Sequence, residues 1–165
     1  REESLMIAVN SKPKLETQSD VDIKNLVKKF LMEDQVCKIH DLYERMYYAD
    51  WFCSNINETK YWFSEFKRRH INHDQYPEGT ILSLHKYLRL REYSMFTGNP
   101  SQFVVLFNDG LFYHTVRSDN KQPLSFQGRN DRGHDGDVEP CVMIVPDQFS
   151  RVAGWKEWMA IRRRN

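Results

Sequence analysis

The sequence predicts an α+β fold: N-terminal helices, then a small five-stranded antiparallel barrel, then a short C-terminal helix. Three observations predict it. In the first half, apolar residues recur at helical spacing. After Pro77-Glu78-Gly79 the pattern changes to short β-prone runs. Those runs are separated by tight-turn residues, Gly98-Asn99-Pro100 and Asn108-Asp109-Gly110.

The helices come first. Asp20 suits an N-cap, and Ile23, Leu26, Val27, Phe30 and Leu31 follow on one helical face. Asp34 opens a second helix carrying Val36, Ile39, Tyr43, Met46 and Tyr47. Asn57 opens a third, with Trp62, Phe63 and Phe66 on its core side. Its far end is Lys67-Arg68-Arg69-His70, where cations favour the negative end of the helix dipole. Five strands follow: Ile81 to about Tyr87, Tyr93 to Thr97, Phe103 to Phe107, Leu111 to Val116, and Cys141 to Val145. Asp109-Gly110 supplies the backbone conformation a tight hairpin requires. Residues 117–137 are polar and read as a long loop, and Trp155 to Ile161 as the final helix. The domain reading is therefore a linker with a possible strand at 1–19, a helical unit at 20–75, a barrel at 76–150, and a helix with basic tail at 151–165.

The chain has 165 residues, with 24 Lys+Arg against 23 Asp+Glu. A net charge of +1 gives no global pull toward nucleic acid or acidic lipid. The aromatic fraction of 13% excludes a disordered chain. Cys37, Cys53 and Cys141 are odd in number and form no CxxC, which argues against a disulfide framework and for a reducing interior. No apolar run approaches the roughly 18 residues a membrane span needs. Leu5 to Val9 is too short and too acidic in its lead-in for a secretory signal. A start at Arg1 suggests a piece of a longer protein.

Residues 79–116 resemble the Tudor domain, a small bent barrel of the wider "Royal" group. Gly79 opens a strand of alternating apolar residues. Tyr93-Ser94 sits where the second strand usually reads an aromatic and a small residue. Phe103 to Gly110 (FVVLFNDG) is similar to the family's third strand and hairpin, and 141–145 stands for the last strand. The resemblance implies a reader of methylated lysine or arginine, such as a histone tail, in a nuclear chromatin protein. It implies an aromatic cage of Tyr87, Tyr93 and Phe107 with Asp109 as its acidic wall. Aromatic faces hold a methylated ammonium by cation–π attraction. Where the family often has an aromatic after Asp-Gly, this chain has Leu111, and Tyr113 two residues on takes that place. Tyr87 falls one position beyond the gapless match, which would place Lys86 there.

Two other readings stand beside it. One is a protein-interaction module that docks a partner or forms a homodimer. The other is an RNA- or DNA-binding domain using the basic clusters Lys67-Arg68-Arg69 and Arg162-Arg163-Arg164. No enzymatic activity, cofactor or metal is expected. His70, His73 and Asp74 lack the partners of a zinc site, and Asp131, His134, Asp135 and Asp137 lack the spacing of a calcium loop. No nucleophile motif or phosphate-binding glycine loop is present.

Overall fold

The computed structural model describes residues 18–128 and 138–165. Helix α1 spans Gln18–Glu33 and buries Val27 and Phe30, with Ile23, Leu26 and Leu31 packed beside them. This is the stripe its spacing predicts. The helix stops at Asp34, whose N–H bonds Phe30 O at 2.8 Å, and Val36 then turns the chain with a positive φ of 54°.

The next two predicted helices are not helices. Residues 34–47 form strand β1 (Cys37–Asp41) and the single turn α2 (Glu44–Tyr47). Residues 51–68 form a hairpin of β2 (Trp51–Asn55) and β3 (Tyr61–Arg68). Asn55 builds its turn: Oδ1 accepts the N–H groups of Thr59 (2.9 Å) and Lys60 (3.0 Å). Trp62, Phe63 and Phe66 fit a helical face by spacing alone. In the hairpin, Trp62 and Phe66 face one core and Phe63 the other. Apolar residues on both faces erase the alternation that marks a strand.

The region read as two strands also differs. β4 is short (Thr80–Ser83), and residues Leu84–Thr97 are helix α3, burying Tyr87, Leu90 and Ser94 at helical spacing. Gly98 ends α3 in the left-handed conformation, its N–H on Ser94 O. Then come β5 (Ser101–Phe107) and β6 (Gly110–Val116), paired in the predicted Asp109-Gly110 hairpin. β7 (Leu124–Gly128) lies within the predicted loop, and β8 (Val138–Ile144) follows. Residues 129–137, with Asp131, His134, Asp135 and Asp137, lie outside the described residues, as do 1–17. A 3-10 turn (Pro146–Gln148), β9 (Ser150–Arg151) and α4 (Trp155–Arg164) complete the chain.

The strands make two sheets, ordered β1-β2-β3-β5-β6-β9 and β4-β8-β7. The structure is α+β, but there is no closed five-stranded barrel among the described residues. β3 and β5 are parallel neighbours, so the large sheet runs across the 75/76 boundary. A parallel pair needs a long crossover, and β4 with α3 supplies it. From Phe103 on, β5 is apolar because both its faces are covered. Phe103, Val105 and Phe107 pack with α3 and the small sheet, whereas Val104 and Leu106 pack with α1 and α4. Gly79 opens β4 at φ 107°, where a Cβ would stand 2.3 Å from Ile144 O, so no other residue fits that approach. None of the described helices is long and apolar enough to cross a membrane.

His114 on β6 is 4% exposed, with Nδ1 3.0 Å from Gln148 O. Burial pushes its pKa below the ordinary value, and the bond to Gln148 O only partly offsets this. The folded protein thus resists taking up a proton that the unfolded chain accepts. The His114 contribution is present above about pH 6.5 and is lost as pH falls below it. Denaturation midpoints are expected to drop from pH 7.5 to 5.5 in the wild type and less steeply in His114→Gln. Identical slopes would refute the assignment.

Candidate active site

Asp50 immediately precedes β2, and Glu65 lies in β3. The strand pairing ends at Trp51↔Ser64. Just beyond it Asp50 bonds both neighbours of Glu65: Asp50 N donates to Ser64 O at 3.0 Å, and Asp50 Oδ2 accepts the Phe66 N–H at 2.7 Å. Lys67 lies two residues along β3 and so shares the face of Glu65. Asp50 therefore lies against the Glu65 stretch of β3 at one end of the hairpin, with Lys67 3.4 Å from Glu65.

Both carboxylates are buried, Asp50 at 4% and Glu65 at 1% exposure. A buried carboxylate is tolerated only when hydrogen-bonded or paired with charge. Asp50 Oδ2 accepts the Phe66 N–H at 2.7 Å, and Oδ1 takes the Lys24 ammonium from α1. Glu65 Oε1 takes the Lys86 ammonium from α3 and lies 3.4 Å from Lys67 Nζ. Helices on opposite sides of the sheet thus each contribute a lysine. Three ammonium groups face two carboxylates, so the site is built around positive charge.

A second group lies at the β5–β6 turn. Donor atoms of His73, Asp74 and Asp109 fall within 4.8 Å of one another. Asp109, not His70, completes this set. Its Oδ1 accepts the His73 N–H at 3.0 Å and its Oδ2 meets His73 Nδ1. Burial would raise the Asp109 pKa, but the His73 bonds outweigh it and hold the carboxyl below its ordinary value. His73 also stacks on Phe112 at 4.3 Å. The pair fastens the hairpin to the 71–74 loop.

The structure does not bring the sequence-predicted cage together. Tyr87 and Tyr93 are on helix α3, not on strands, and Tyr87 is 2% exposed in the core. Phe107 ends β5 and is buried against Phe112 and Phe149. Tyr113 packs on the opposite face of the sheet, with the α1 and α4 core. Asp109 is engaged by His73. Leu111 is fully buried, so the missing aromatic there is a core requirement.

The basic clusters meet in part. Arg68, Arg163 and Arg164 line one cavity of about 530 Å³, together with Lys156, Trp155 and Met159. Arg162 instead lies over the Trp158 ring at 4.1 Å and reaches Glu33, Arg69 donates to Ile81 O, and Lys67 belongs to Glu65. Asp50 and Glu65 escaped the sequence reading. Their signal was an Asp, fourteen intervening residues, then Glu-Phe-Lys. That spacing acquires meaning only once 51–68 is a hairpin. The thiols carry no such signal: burial raises Cys37 to about 11 and Cys53 to about 12, too high for a nucleophile at neutral pH.

Comparison with known proteins points away from a methyl-reader cage. The model of the family described as "Phage putative PDDEXK endonuclease" matches residues 10–152. No curated protein and no solved structure matches. The letters of the family name end in Glu, any residue, then Lys, and this chain carries Glu65-Phe66-Lys67. The match overturns the Tudor resemblance and the methylated-histone partner. It also overturns the expectation of no enzymatic activity, the interaction-module reading and the binding-only nucleic-acid domain, because the family it names is one of endonucleases. The match spans all the described strands as well as Asp50 and Glu65, and the chain belongs to this PDDEXK family.

Proposed function

We propose that the chain is a metal-dependent endonuclease that hydrolyses phosphodiester bonds of nucleic acid at Asp50, Glu65 and Lys67. The observation that carries this reading is two buried carboxylates on adjoining strands, Asp50 bonded to both neighbours of Glu65, with Lys67 beside Glu65. The donor set fits a small divalent cation. Carboxylates are the hard oxygen ligands Mg²⁺ and Mn²⁺ prefer, and each already draws a cation, Lys24 or Lys86. A cation held by Asp50 and Glu65 would supply Lewis-acid polarisation of a phosphoryl oxygen and a more acidic water.

The remaining roles fall to side chains of the chain. Lys24 and Lys86 orient the two buried carboxylates and balance their charge. The Phe66 N–H fixes one Asp50 oxygen, leaving the direction of the other to be set by its cation. The Lys67 ammonium, half-buried beside Glu65, opposes the negative charge that develops on the phosphate oxygens as water attacks. The cavity lined by Arg68, Arg163 and Arg164 has no acidic residue in its lining, a chemistry that suits a flanking phosphate.

Plasmid DNA incubated with the purified protein should be nicked with Mg²⁺ or Mn²⁺ and remain intact in EDTA. Lys67→Ala should lower the rate by about 10²-fold, as removal of one transition-state donor does. Cleavage unchanged by chelation, or by loss of Lys67 in folded protein, would exclude the mechanism.

A further inference from the structure

Beside the acidic pair, the same face of the β2–β3 hairpin carries a row of aromatic rings that the chemistry above does not use. Alternation along β3 places Tyr61, Phe63, Glu65 and Lys67 on one face. Phe52 stands opposite Phe63 in the register. The rings form an unbroken series. Tyr61 stacks on Phe52 with centroids 5.4 Å apart and planes 1° apart, Phe52 meets Phe63 at 5.1 Å, and Phe63 stacks on Tyr93 of α3 at 4.1 Å.

The row leads directly to the acidic pair. Lys86 and Tyr93 are seven residues apart on α3, hence on one helical stripe. Lys86 meets Glu65, and Tyr93 meets Phe63. Arg89 lies between them on that stripe, with its guanidinium 5.3 Å from the centre of the Tyr48 ring. The Tyr93 hydroxyl donates to Tyr47 O and ties α2 to the same edge. Phe52, Phe63 and Tyr93 are half-buried and Tyr61 is 37% exposed. The core on the other side of this hairpin is already filled by Trp51, Cys53 and Phe66 against α1. Phe52 and Tyr61 belong to neither core, whereas Phe63 and Tyr93 pack against the core shared with the small sheet and back them.

We infer that Tyr61, Phe52, Phe63 and Tyr93 form a stacking platform for unpaired bases of a nucleic-acid strand, which delivers its backbone to Asp50 and Glu65. This rests on the nuclease reading and adds a substrate class to it: single-stranded segments, or strands opened at an end or junction. Every unpaired base presents a π face, whereas a base inside a duplex has both faces occupied. Stacking on an exposed ring changes binding by about 5- to 100-fold per base. Arg89, paired with Glu92 at 2.9 Å, lies on the path from the rings to the carboxylates, where the phosphates of a stacked strand must pass.

The test reads binding in EDTA, without turnover. Fluorescence anisotropy compares a labelled 20-nucleotide oligothymidylate with a blunt 20-base-pair duplex. The platform predicts tighter binding of the single strand by about tenfold or more, with Tyr61→Ala and Phe52→Ala each weakening it by about 5-fold or more while leaving duplex affinity unchanged. Because Phe52→Ala risks the fold, wild-type protein is also photocrosslinked to the oligomer carrying 5-iodouracil. Adducts on peptides containing Phe52, Tyr61, Phe63 or Tyr93 support the platform. Adducts confined to other peptides, such as that of Trp155 and Trp158, overturn it, as does equal or tighter binding of the duplex. Cleavage is scored separately with Mg²⁺. Ring-dependent binding without cleavage sinks the nuclease reading alone, and cleavage with ring-independent binding sinks the platform alone.

Discussion

Glu65→Gln is expected to reduce metal-dependent cleavage by about 10³-fold while the protein remains folded. The substitution keeps the shape and removes the charge that Lys86 and Lys67 converge on. Breaking a fully buried ion pair can cost about 3–5 kcal/mol of stability. Here both lysines retain access to water, at 24% and 34% side-chain exposure, so they can rehydrate and the cost falls well below that range. Activity should thus collapse with a modest change in melting temperature. Asp50→Asn should match it, and the double variant should be little worse than either single one, because the two carboxylates act as a unit. Initial rates of plasmid nicking, with circular dichroism as the folding control, decide the matter. Near wild-type rates in both single variants would place the chemistry elsewhere.

The largest stability effect is expected at Trp51. Its side chain is fully buried, stacks on Phe66 at 5.6 Å, and belongs to the core between the large sheet and α1. Trp51→Ala should cost about 3–5 kcal/mol through lost burial and the cavity left behind. That is a large part of the 5–15 kcal/mol typical of a domain. At about 2–4 °C per kcal/mol for a chain of this size, the melting temperature should fall by roughly 6–20 °C. Trp51 Nε1 has no hydrogen-bond partner among the described residues, so Trp51→Phe should be much milder. Equal losses in the two variants would show that ring volume is not what matters there.

Parts of this fold are legible in one dimension. The α1 stripe and the β5–β6 hairpin are local patterns, of period 3.6 in one case and a turn sequence in the other, and both form as their residues suggest. The β2–β3 hairpin and α3 are not. Trp62, Phe63 and Phe66 satisfy helical spacing, yet they divide between two cores. Tyr87 and Tyr93 have strand propensity, yet the buried set Tyr87, Leu90 and Ser94 is helical. In each case tertiary burial overrode a weak local preference. The aromatic cage failed for the same reason: its five residues are scattered over a helix, a turn and two sheet faces.

By itself, then, the sequence determined the first helix, the central hairpin, and the presence of an acidic residue followed by Glu-Phe-Lys. It did not determine that these acids meet. That was decided by the register Trp51↔Ser64, by the parallel pairing of β3 with β5, and by helices that bring Lys24 and Lys86 to the same point from opposite sides of the sheet. Register has a period of two, so a slip of one residue would turn Glu65 and Lys67 to the other face and part them from Asp50. Long-range burial and the Asn55 turn together hold that register, which the hydrophobic spacing does not encode.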